Sequence, residues 1–431
     1  MIFFYKYIYI NLKMTEKESL NLKIRTKEKS KNNGLFDYNP NSRRIKIIEQ
    51  TIPNDNAYII KQNQNVNNAY KIINNLSEFN SNSDNQILFH LRKSFKKNCY
   101  EIINPIMKYN QIQKHSEYIE DLNNKFWYVI RSKNPKNPKN EENDEDYVLN
   151  ENDIIKLGEK KYEVTKIRIN KADDNYERSR DTENYYNISE INKKAGSIFK
   201  FDIKKDKYRV PLESSENKDC EKEGEQCWIC LEASSTSIDN PLINICKCKN
   251  KFVHYLCLKQ YLQTKIIKRE NFKHTVYTYC CNKFNCDMCL TPYPTRFKIS
   301  EFNKEYELID LNLPEEYDYM ILESLDFIKE KYDKKGNIKR IHVIQLTEDE
   351  IYIGRNGIND VIDEDLTVSR NHAILKYNRA EGEVVLENRS ETYGTLVLIK
   401  GNIKMKNKNL NLQIGNSFIT VNLKPNEKEL M

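Results

Sequence analysis

The stretch IYIGRN (Ile351–Asn356), followed by TVSRNHA (Thr367–Ala373) and SETYGT (Ser390–Thr395), decides how the C-terminal quarter of this 431-residue chain folds. Around these segments run short stretches of one kind: IHVIQL, IYIG, HAILKY, EVVLEN, GTLVLI and SFITVNL. They are rich in Ile, Val, Leu, Tyr and Thr and separated by polar turns, the pattern of an antiparallel sandwich. If these runs are strands, all three quoted segments fall at or near loop ends. Binding groups collect there because the sheet fixes them while leaving them open to solvent. The side chains suit an anion: Arg355 and Arg370 offer guanidinium donors and Ser369 a hydroxyl.

The ordered GR, SxxH and GT signature resembles the forkhead-associated (FHA) domain, over residues 317–425. The resemblance implies an all-β sandwich that reads phosphothreonine peptides, and so a phosphothreonine-containing protein as partner. It assigns Arg355 to the peptide backbone, Ser369 to the phosphate and Arg370 to charge neutralisation, with the Gly394–Thr395 turn shaping the groove. A phosphate of about −1.5 to −2 charge with three acceptor oxygens answers such donors. His372 is expected to be a buried hydrogen-bonding residue rather than a catalytic or metal-binding one. Where the family has an Asn-Gly turn, this chain has Tyr393–Gly394, so the amide that grips peptide beyond the phosphate is absent.

The cysteines point elsewhere. Of 11, nine lie between Cys227 and Cys289, a clustering that small core hydrophobes would not show. Read in order they give CWIC, CKC, HYLC and CDMC, so that Cys227, Cys230, Cys246, Cys248, His254, Cys257, Cys286 and Cys289 stand at ligand spacing. Tetrahedral zinc takes four thiolate or imidazole ligands, and tight pairs on turns supply two at a time. Eight ligands therefore make two closed, structural sites. The expected crossing gives one ion Cys227, Cys230, His254 and Cys257, and the other Cys246, Cys248, Cys286 and Cys289. Each ion staples distant segments and supplies folding energy that so short a core lacks.

This segment resembles the RING-variant (RING-CH) zinc finger through CWICLE (Cys227–Glu232), NPLI (Asn240–Ile243), CKCKNKFVHYLCLKQYL (Cys246–Leu262) and CDMCLTPY (Cys286–Tyr293). The plant homeodomain finger shares the ligand order and a Phe two residues before the last Cys pair, here Phe284, and stays as an alternative. It spaces its second Cys pair more widely than the single Lys247 does. The RING resemblance implies a small α+β, cross-braced double-zinc fold and ubiquitin ligase activity, with a ubiquitin-conjugating enzyme as partner. Ile229 would dock that enzyme, and Tyr261, where the family has Trp, would fill an interface pocket. The gap from Cys257 to Cys286 is longer than usual and carries His274, Cys280 and Cys281 as competing ligands. A phospho-dependent scaffold with a purely structural zinc module is the reading from a different class.

Between Phe126 and Ile167, FWYVIR and YVLNENDIIKLGEKKYEVTKI repeat the strand signature. Aligning Gly158 with Gly415 superposes Leu157 on Ile414, Tyr162 on Ile419 and Val164 on Val421. That reads as the closing hairpin of a degenerate second FHA-like domain or as coincidence between two strand-rich stretches. The expected order is a polar, poorly packed segment at 1–50, a β-rich domain at 51–170, a linker at 171–222 and the finger at 223–296. A second linker at 297–316, the sandwich at 317–425 and a tail at 426–431 complete it.

Composition bounds the rest. A formal charge of +7 over this length is too small to argue for nucleic acid. Nine Lys/Arg against four Asp/Glu between Cys227 and Cys289 read as a solvated face. No apolar run is long enough for a spanning helix. The start, MIFFYKYIYINLKM, is interrupted by Lys6 and lacks a small-residue cleavage site. The expected setting is thus cytoplasmic or nuclear rather than secreted, where thiols stay reduced and ligate metal.

Overall fold

Glu350–Gly354, Ala373–Asn378 and Glu383–Asn388 are strands whose inward side chains, among them Ile351, Ile353, Leu375 and Leu386, are buried. They form the middle of a five-stranded sheet, flanked by Val361–Ile362 on one side and Tyr147–Val148 on the other. This computed structural model describes residues 19–27, 45–52, 56–63, 68–73, 86–94, 99–103, 122, 125–130, 146–170, 188–195, 203, 207–209, 226–232, 237–249, 251–282, 284–325, 338–405, 410–415 and 417–424. The inner face packs on Val164, Leu322, Ile344, Val397 and Ile419 of a second sheet, giving one continuous core. Burying side chains of this size is worth roughly 1.5–3 kcal/mol each, so this core carries the architecture.

That second sheet has twelve strands, and its order corrects the expected domain plan. Phe126–Ile130 lies between Thr395–Leu398 and Leu410–Ile414. The hairpin of Ile154–Leu157 and Lys160–Arg168 is bonded to Thr395–Leu398 on one side and Tyr319–Ser324 on the other. Among the described residues of 51–170 there is thus no second sandwich; strands from both flanks of the Cys-rich segment build one. The alignment of Gly158 with Gly415 did detect a real likeness, because both glycines turn a hairpin at positive φ, 62° and 55°. Both hairpins belong to the same sheet, since two strands alone bury too little to stand by themselves. Ser19–Lys27 and Ile45–Ile52 extend this sheet beyond Ser417–Lys424, which corrects the unpacked reading for 19–27 and 45–50; the rest of 1–50 lies outside the described residues. Asn56–Asn63, Asn68–Ile73, Gln86–Ser94 and Cys99–Ile103 form a separate sheet with Ile403–Met405.

The Cys-rich segment is spliced between Lys160–Arg168 and Tyr319–Ser324, two neighbouring strands of the large sheet. Its core is larger than the sequence suggested. Ile203 and Tyr208, from the supposed linker at 171–222, and Phe297, Ile299, Tyr306 and Leu308, from that at 297–316, all pack into it. A helix, Ile188–Ala195, also falls in the first of these linkers, where Asn192 donates to the Leu398 carbonyl oxygen at 2.7 Å. The helix Tyr255–Gln263 buries Tyr255, Leu258 and Leu262 on one stripe while carrying Cys257 in its first turn. The long gap after Cys257 is a hairpin, Ile266–Glu270 and Val276–Asn282, whose second strand pairs with Ile338–Gln345 of the sandwich sheet. Cys280 and Cys281 are consumed as buried residues of that strand. Among the described residues, no helix is long and apolar enough to cross a membrane.

Candidate functional site

Three loops meet at the end of the five-stranded sheet. The first leaves the sheet at Gly354, where a Cβ would stand 2.3 Å from the Arg370 carbonyl oxygen, so only glycine lets these two loops touch. The Arg355 and Asn356 amides donate to the carbonyls of Ser369 (2.9 Å) and Arg370 (3.1 Å), and Arg355 Nε donates to Val368 O at 3.2 Å. Asn359 Nδ2 bonds both Asn356 O (3.0 Å) and Arg370 O (2.7 Å). The result is an open cleft of about 310 Å³ lined by Arg355, Asn356, Gly357 and Arg370. Two guanidiniums at an open rim are suited to a phosphate with adjoining peptide.

His372 fixes the other two loops. Its Nδ1 accepts from the Ser369 backbone N–H at 2.9 Å, which requires the proton on Nε2; that nitrogen donates to the Gly394 carbonyl oxygen at 2.9 Å. Burial holds the imidazole neutral by lowering its pKa from 6.5 to about 4. Ser369 Oγ lies 2.8 Å from Ser390 Oγ, which ties the second loop to the third. Gly394 sits at φ 66°, closed to side chains. Thr395 is fully buried and donates to Asn388 Oδ1 at 2.8 Å, so it braces the turn from inside rather than meeting a ligand. The Gly158 turn supports the whole from below: the Glu159 N–H donates to Thr367 Oγ1 at 2.8 Å, and Lys160 pairs with Asp365 at 3.3 Å.

Residues 351–418 match the FHA domain family. No curated protein and no solved structure matches the chain. Within this FHA domain the structure brings Arg355, Ser369, Arg370 and Gly394 to one end of the sandwich. Asn356, Gly357, Asn359 and Ser390 also lie at this end of the sandwich, and sequence reasoning gave none of them a role. Asn356, Gly357 and Ser390 stand in or beside a quoted segment, whereas Asn359, three residues beyond IYIGRN, carried no such signal.

The eight metal-ligand candidates fall into two groups, Cys227, Cys230, His254 and Cys257, and Cys246, Cys248, Cys286 and Cys289. Within each group the ligand atoms lie within 4.8 Å of one another. Cys230 Sγ and Cys257 Sγ are 3.3 and 3.9 Å from His254 Nδ1, and Cys248 Sγ is 3.9 Å from Cys286 Sγ. A tetrahedral ion with bonds of about 2.3 Å to sulfur needs ligand separations of about 3.8 Å, so each group could hold one metal ion. The CWIC and CDMC turns are built alike. Leu231 and Leu290 donate to Cys227 O and Cys286 O, and both leucines take positive φ, 63° and 55°.

Of the residues assigned to a conjugating enzyme, Ile229 is half-buried on the first turn. Tyr261 is engaged inside the module: its hydroxyl donates to Asp287, its ring meets Trp228 edge-on at 5.6 Å, and Lys265 Nζ stands 4.2 Å over its face. It ties the helix to the CDMC turn. His274 pairs with Glu270 at the tip of the inserted hairpin and belongs to neither group of ligand candidates.

Proposed function

We propose that this chain reads phosphothreonine peptides through its FHA domain and that two structural zinc ions brace the module spliced into the domain's sheet. The observation that carries the reading is the cleft itself, where Arg355 and Arg370 converge beside a Ser369 loop whose geometry is set by a neutral, doubly bonded His372. Phosphate charge meets two cations and a hydroxyl there, and the flanking backbone can lie along Asn356 and Gly357. The donor set of the two Cys/His groups fits zinc, with neither site leaving a coordination position for catalysis. Binding of a degenerate phosphothreonine peptide pool to the full chain tests the reading. Wild type should retain the phosphorylated pool over its unphosphorylated counterpart, and Arg370→Ala and Ser369→Ala should abolish that preference.

A second reading adds ubiquitin ligase activity. It is supported by three apolar side chains on the two metal-bearing turns, Leu231, Met288 and Leu290, which are 67%, 76% and 70% exposed. Such a patch suits a protein partner. Incubation with a panel of charged conjugating enzymes should then yield ubiquitin transfer that Ile229→Ala diminishes. A panel giving no transfer leaves the scaffold reading.

A further inference from the structure

We propose that Asn271 and Lys273, at the tip of the hairpin inserted between the metal ligands Cys257 and Cys286, are positioning residues for the phosphopeptide cleft. The inference rests on the phosphothreonine reading above and extends the site into a part of the chain that the family match does not reach.

The connection runs through Asp360, which is 5% exposed. Asn271 Nδ2 donates to Asp360 Oδ1 at 3.2 Å, and Lys273 Nζ pairs with the same oxygen at 3.4 Å. The other oxygen, Oδ2, accepts the Tyr352 N–H at 3.0 Å, while the Asp360 N–H donates back to Tyr352 O at 3.0 Å. A buried carboxylate needs partners on both oxygens, and here the inserted hairpin supplies them for one. Asp360 is thereby fixed at the end of the loop that begins at Arg355. Its neighbour Asn359 is the residue that bonds Asn356 O and Arg370 O and so holds the two cleft loops together. Movement at Asp360 reaches both guanidinium-bearing loops through one residue.

The hairpin is firmly placed to exert this hold. The strand Val276–Asn282 pairs along its length with Ile338–Gln345, and Gln345 N–H donates to Thr275 O at 2.8 Å. Asn271 also closes its own turn, its Oδ1 accepting the Thr275 and Val276 amides at 2.9 and 3.1 Å. The backbone closure uses Oδ1 and the Asp360 contact uses Nδ2; Nδ2 also donates to Thr275 Oγ1 at 3.1 Å, a hydroxyl that can donate to a carboxylate instead, so the two roles are separable.

Asn271→Asp keeps the oxygen that closes the turn and replaces the donating amide with a second carboxylate facing Asp360. Fluorescence anisotropy with a labelled degenerate phosphothreonine pool, on the full metal-loaded chain, should show affinity falling about fivefold or more, the scale of a modest coupling between sites. Lys273→Ala should weaken binding in the same direction. Pairing Asn271→Asp with Asp360→Asn restores a donor opposite an acceptor while leaving an oxygen for the Tyr352 amide, so the double variant should recover wild-type affinity. A merely structural role for Asn271 predicts no such rescue. Unchanged affinity in folded Asn271→Asp overturns the inference while the reading stands, provided wild type binds and Arg370→Ala weakens that binding about tenfold or more. Absence of phosphate-dependent binding in wild type overturns both.

Discussion

Two fully buried histidines, His372 and His254, show how differently the two regions are held. Both nitrogens of His372 are satisfied by this chain, one by the Ser369 amide and one by the Gly394 carbonyl. His254 turns Nδ1 toward the sulfurs of Cys230 and Cys257, at 3.3 and 3.9 Å, a geometry that an ion would complete. The FHA cleft is therefore preorganised by a hydrogen-bonded backbone over a two-sheet core. The inserted module relies on donors that gain most when a cation joins them. One region should tolerate chelation and the other should not.

The largest effect expected is on metal removal. Purified protein should carry two zinc ions, and a strong chelator should release them with loss of amide protection over Leu242–Ile309, on the scale of about 10 kcal/mol per site. Hydrogen exchange should leave Glu350–Gly354 and Ala373–Asn378 protected. Equal loss in both regions would erase the distinction drawn here. Next in size is the pH response of His372. Its folded pKa lies below the ordinary value, so the unfolded chain takes up the proton first, and stability from the neutral ring is lost as pH falls from 6.5 toward 4. Glu163, raised to about 7 by burial, runs the opposite way. The difference between wild type and His372→Gln isolates the ring, and by denaturant titration it should shrink by up to about 3 kcal/mol across that window.

Gly354→Ala comes third. Its Cβ would stand 2.3 Å from the Arg370 carbonyl oxygen, a backbone atom that cannot step aside freely. A stability loss of about 1–3 kcal/mol is expected, with collapse of phosphopeptide binding in the same sample. Arg370→Ala sharpens the contrast at the small end. This side chain is exposed, so stability should change by less than about 0.5 kcal/mol. Its affinity for the phosphothreonine pool, measured by calorimetry, should nonetheless fall about tenfold or more, as expected for loss of a charged hydrogen bond.

How much of this could be read in advance varies by region. The two ligand groups were legible because each pair sits on one turn, where spacing along the chain nearly equals proximity in space. The cleft loops were legible through Gly354–Arg355, Ser369 and Gly394, whose backbone or charge demands are local. The role of Tyr261 was not, since its partners Trp228 and Asp287 approach from other segments. The place of Phe126–Arg168 was misread for the same reason: Ile155 could pair with Val397 or with many similar residues, and β-propensity does not say which.

By itself, then, the amino-acid order determined which side chains can hold metal, which loops present cations and a hydroxyl, and that the runs between them are strands. These depend on residue type and short-range spacing. Only the tertiary structure decided that one sandwich, rather than two, is assembled from both flanks of the Cys-rich insertion, and that the hairpin after Cys257 lies against Asp360. Strand pairing is made by backbone groups that every residue shares, so partner choice is settled by burial of whole faces across the fold.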